Sequence, residues 1–139
     1  MTVSTPAQAR MSVGSRLVLA VLVLDAVVLA AVELLFLPLR FDGYLLPYAL
    51  GGSPVPVSAL VAALTTPWLV NVAGRLSPRL PVAAAPLIGW ILAVAVFGMF
   101  GPGSDLVLVA DWRSLLLFAC GALPSAIVLG RVLATTLGP

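Results

Sequence analysis

Histidine and lysine are absent, cysteine occurs once, and charged residues make up only 9% of the chain. One cysteine excludes an internal disulfide, and the lack of histidine excludes Cys/His zinc sites and imidazole catalysis. Without His or Lys, only a carboxylate remains to serve as a base, so no catalytic, metal or cofactor set is expected. The seven basic residues are all Arg and are scattered, which leaves no footprint for nucleic acid. Twelve ionisable Arg, Asp and Glu side chains cannot cover a soluble globule of 139 residues. What the chain has instead is apolar mass: hydrophobic types are 62% of it, and the mean hydropathy is +1.20. That composition is typical of an integral membrane protein.

Four apolar runs predict a single membrane domain over 1–139, an all-α, up-down four-helix bundle. The spans fall at about 17–39, 55–73, 81–100 and 114–133, with outer loops at 40–54 and 101–113. The first run, between Arg16 and Arg40, has 23 residues; at about 1.5 Å each they cross a core of about 30 Å with some tilt. It is too long for the apolar region of a signal peptide and contains two acids, so it reads as a retained helix. Gly, Pro and Asp break the stretch after Arg40 into an interfacial loop. A short β-like stretch is expected at Leu106–Ala110.

Arginine placement sets the orientation. Arg10, Arg16, Arg75, Arg79 and Arg131 fall on one side with no acid; Arg40 and Arg113 share the other with Asp42, Asp105 and Asp111. The positive-inside rule then puts both termini in the cytoplasm of a multi-pass protein of the inner (plasma) membrane. Phe36, Phe41, Tyr44, Tyr48, Phe97, Phe100 and Trp112 gather near the outer boundary as a lipid-anchoring belt.

Asp25 and Glu33 lie inside the first span, about 12 and 24 Å from its start. An ionised carboxylate at such depth costs at least about 2.5–3.5 kcal/mol. Eight residues apart, the two point about 80° from each other, so one broad side carries both and should face the bundle interior. Depth matching across an up-down bundle sets Asp25 level with Thr65, Thr66, Trp90 and Ser125 as an intramembrane polar cluster. It sets Glu33 level with Ser58 and Phe118, where Arg40 or Arg113 is the expected ion-pair partner. Two readings stand: the acids specify helix packing, or a buried carboxyl carries protons or binds a cation.

Small residues mark close helix contacts. Ala85, Gly89 and Ala93 form a ridge on the third span, with shorter seams at Ala26 and Ala30, and at Gly121 and Ser125. A minimal bundle has little need of three seams, so at least one is expected to touch another polypeptide. Pro67 and Pro124 free the carbonyls of Ala63 and Cys120, with Thr65, Thr66 and Ser125 close enough to re-satisfy the backbone. Cys120 reads as a packing residue, Asn71 as a tie between helices, and Gly101-Pro102-Gly103 as a turn.

Gly89-Trp90, then Gly101-Pro102-Gly103-Ser104-Asp105-Leu106-Val107, then a Leu-rich last span with Gly121, resemble a family of short actinobacterial four-span membrane proteins of unknown function. The resemblance covers roughly the second half of the chain, and the exclusive use of Arg fits a high-GC genome. It implies an actinobacterial inner-membrane location and brings no activity. The expected function is that of a non-catalytic accessory or assembly subunit, whose partners are the lipid bilayer and other membrane subunits. The alternative is a small proton- or cation-coupled transporter using Asp25 and Glu33, similar in size and span number to the small multidrug exporters.

Overall fold

The computed structural model describes residues 11–37, 47, 56–100 and 112–137. It contains four helices: α1 (Val13–Phe36), α2 (Val57–Leu76), α3 (Leu80–Met99) and α4 (Trp112–Leu137). No strand occurs among the described residues. The outer loops 40–54 and 101–113, apart from Pro47, Trp112 and Arg113, lie outside them, as does the β-like stretch expected at Leu106–Ala110.

Helix bounds follow local chemistry. Ser12, with extended backbone, accepts a hydrogen bond from the Ser15 amide at 3.1 Å. This cap opens α1 four residues before the first wholly apolar stretch. The helix ends at Phe36, with Leu37 still in helical backbone (φ −58°, ψ −39°); Pro38 has no amide hydrogen with which to continue the helical bonding. α2 ends where Ser77 turns extended (φ −159°, ψ 132°). Only Ser77, Pro78 and Arg79 separate it from α3, whose second residue is Pro81, a position that needs no amide donor. With 24, 20, 20 and 26 residues, the helices run about 30–39 Å. All four are long and apolar enough to cross a membrane.

The helices alternate in direction. The start of α1 (Ser12, Ser15) shares a cavity with the α2–α3 turn (Ser77–Arg79), and the end of α4 packs on the end of α2, where Val132 meets Gly74. α2 and α3 form the central pair. α1 packs on α3 and α2, α4 packs mainly on α2 and lightly on α3, and α1 and α4 do not touch among the described residues. The cross-section is therefore a rhombus with α1 and α4 at its far corners, not a closed square. Leu22, Leu34, Leu69, Val70, Leu87, Trp90, Val94 and Leu117 fill the core. The outside is equally apolar, with Leu17, Leu24, Leu64, Trp68, Leu92, Leu123 and Ile127 exposed. An apolar face on every helix is a surface made for hydrocarbon rather than water.

Each of the three later helices contains a proline, at Pro67, Pro86 and Pro124; the spacing argument singled out only the first and last. The neighbouring hydroxyls do not cap the freed carbonyls of Ala63 and Cys120. Thr65 donates to Val61 O at 2.8 Å and Ser125 to Gly121 O at 2.6 Å. Both are bonds to the residue four back, which is the geometry a helical Ser or Thr reaches most readily.

Candidate functional site: a buried glutamate and tryptophan

Glu33 is the acid that the bundle buries, with 1% of its surface exposed. Trp90, on α3, is fully buried, and its indole Nε1–H donates to Glu33 Oε2 at 2.7 Å. Two neighbours hold the indole. Phe118 of α4 meets it edge-on with ring centres 6.0 Å apart. Gly121 gives the ring its room: a Cβ there would lie 2.7 Å from Trp90 Cζ2. Ser125 lies buried one turn further along α4. Thr65 of α2 flanks the carboxyl without a hydrogen bond to Oε1, and the buried Thr66 and Ser58 hydroxyls likewise have no partner among the described residues. A carboxyl is thus clasped on one oxygen and without a hydrogen-bond partner on the other, beside Thr65.

Several sequence expectations need correction. Asp25 does not join Thr65, Thr66, Trp90 and Ser125; it is exposed on the outer face of α1. The 80° between the two acids is enough for one to face the core and the other the surface. The ion pair of Glu33 with Arg113 does not form: the indole takes Oε2, and Arg113 instead lies 6.0 Å from the Trp112 ring centre. Arg40 is outside the described residues. Depth counting separated Glu33 from Trp90 by about 10 Å, because it treated side chains as points. The long arms of both residues span that interval. Asn71 makes no hydrogen bond to another helix among the described residues; it lines a surface cavity.

The small-residue seams also resolve. A Cβ on Gly89 would stand 3.1 Å from Val23 Cγ1 of α1, Ala93 is buried, and Ala85 is half-buried, so the ridge packs within the bundle. Ala26 and Ala30 are fully buried as well, as are Gly121 and Ser125. All three seams pack within the bundle, with Ala85 and Gly89 half-buried. Small side chains are spent on letting α1, α3 and α4 approach their own neighbours.

A comparison with family models, curated proteins and solved structures finds no match to this chain. What the fold and the site define is a class: an all-α bundle of four candidate membrane spans around a buried Glu–Trp pair.

Proposed function

We propose that the chain is a non-catalytic accessory or assembly subunit of a larger inner-membrane complex, with both termini cytoplasmic. One observation carries this reading: Asp25 stands exposed on α1, surrounded by exposed Val21, Leu24 and Val28. It lies 12 residues from Val13 and 11 from Phe36, about 18 and 16 Å from the helix ends. A side chain with a single methylene cannot snorkel that far. Facing lipid, its charge costs at least about 2.5–3.5 kcal/mol, which a partner helix with a basic or hydrogen-bonding group at mid-depth would offset. The interior seams supply no such argument, since the bundle itself uses them. The resemblance to actinobacterial membrane proteins agrees with the location and adds no activity. Purification in mild detergent should bring down a partner with the wild-type chain and lose it with Asp25→Leu, while the variant stays folded. A wild type that purifies alone and monomeric would remove the support.

A second reading, a small proton- or cation-coupled transporter, rests on a different observation. Glu33 Oε1 is buried without a hydrogen-bond partner, beside Thr65, as a carboxyl that binds a proton or cation would be. This reading requires pH- or cation-driven flux in liposomes that Glu33→Gln abolishes.

A further inference from the structure

At the end of the bundle that carries Arg16, Arg75, Arg79 and Arg131, α2 and α4 line an open surface cavity of about 260 Å³. Its lining combines Asn71, Gly74 and Arg75 of α2, Pro78 of the turn, and Arg131, Val132 and Thr135 of α4. Two arginines from different helices open on it, and no acid lines it. Neither Arg75 nor Arg131 has a hydrogen bond or ion pair among the described residues. The helices are brought together here by Gly74, where a Cβ would stand 2.7 Å from Val132 Cγ2. Close approach thus places two like charges at one opening with no counter-ion among the described residues.

We infer that this cavity holds the phosphate of an anionic phospholipid headgroup. Guanidinium forks match the paired non-bridging oxygens of a phosphodiester. Asn71 supplies an amide donor. Thr135, whose proton goes to Val132 O at 2.7 Å, presents an oxygen that accepts from a headgroup hydroxyl. The lipid is favoured over a free anion because the cavity sits at the margin of the apolar spans. An acyl chain leaving it runs along the exposed apolar faces of α2 and α4, past Leu64, Trp68 and Ile127. Basic pockets between membrane helices at the cytoplasmic surface hold headgroups by this chemistry.

Native mass spectrometry of the full chain, titrated with phosphatidylglycerol or phosphatidylcholine, tests the inference. The wild type should retain phosphatidylglycerol roughly 10- to 30-fold more tightly, with the preference falling as salt rises. Arg75→Gln with Arg131→Gln should remove the preference, and Arg75→Lys with Arg131→Lys should keep part of it, since charge remains while the fork is lost. Equal retention of the two lipids by the wild type, or an unchanged preference in the Gln variant, overturns the assignment. The wild-type comparison decides the matter even if the Gln variant does not fold. Displacement of phosphatidylglycerol by millimolar inorganic phosphate assigns the cavity to a soluble anion and overturns the lipid.

Discussion

Removing the indole donor at Trp90 tests whether the Glu33 contact holds α1 to α3. Trp90→Phe keeps an aromatic ring against Phe118 and Gly121 but deletes Nε1–H, whose hydrogen bond to Glu33 Oε2 is 2.7 Å long. Two costs combine. The smaller ring leaves about 40 Å³ empty, about 1 kcal/mol at 24 cal/mol per Å³. The carboxyl also loses its donor, and hydrogen bonds between membrane helices average about 0.6 kcal/mol with an upper value of about 1.7. The single variant should therefore lose about 2 kcal/mol of stability. A double-mutant cycle with Glu33→Leu separates the terms, because the cavity persists in both backgrounds and cancels. The expected coupling is about 1 kcal/mol. Reversible unfolding in bicelles, followed by helical circular dichroism, measures all four corners. A coupling inside the roughly 0.3–0.5 kcal/mol scatter of independent sites would refute the claim that this bond joins the helices.

Glycine substitutions should divide by what lies beside them. Gly121→Ala pushes a methyl into the Trp90 ring and should cost about 1–3 kcal/mol, whereas Gly130→Ala meets open space and should gain a few tenths up to about 1 kcal/mol from helix propensity; equal effects in the same unfolding assay would contradict the packing. Asp25→Leu should change monomer stability by no more than about 0.5 kcal/mol, as expected of a surface position, so a loss above 2 kcal/mol would place Asp25 in the interior after all. Single cysteines at Ser53, Ser77 and Ser104 in a Cys120→Ala background should label from outside at 53 and 104 only; outside labelling at 77 would invert the proposed orientation.

The four helices were legible because apolar run length is a coarse quantity that survives errors of a few residues. Their ends moved where local capping decided them. Ser12 started α1 early, and Pro38 closed it before the apolar run was finished. The choice of buried acid was less legible. Helical geometry gives the 80° between Asp25 and Glu33, but not the azimuth of α1, which is set by where Leu22, Ala26, Ala30 and Leu34 find partners. All four buried positions, with Glu33, lie on one stripe, and Asp25 sits beyond its edge. A reading of the small residues at 26 and 30 as the packing face would have turned Glu33 inward and Asp25 outward. Trp90 was recognised as a donor at the right depth class but assigned to the wrong acid. Gly121 was read as a seam for a helix, while its service is to an indole ring.

The two acids of α1 now make different demands on their surroundings. Around Glu33 the fold has already answered: α3 contributes the indole, α2 the Thr65 hydroxyl, and α4 the ring and glycine that fix the indole in place. Removing any one of these helices would expose the carboxyl. Around Asp25 the described residues offer no partner, because α1 occupies a corner of the rhombus and does not meet α4 among them. The same chain supplies no basic residue at mid-span among the described helices, since Arg16, Arg113 and Arg131 lie toward helix ends. On the proposed reading, a mid-span acid without a partner among the described residues takes its complement from a neighbouring helix in the membrane. If Asp25 is its contact, crosslinking through a photoreactive residue at position 28, one turn along the same face, should trap that neighbour. The same residue at position 30, inside the bundle, should crosslink only within the chain. A neighbour trapped equally from both positions would mean that α1 is not packed on α3 in the membrane as it is here.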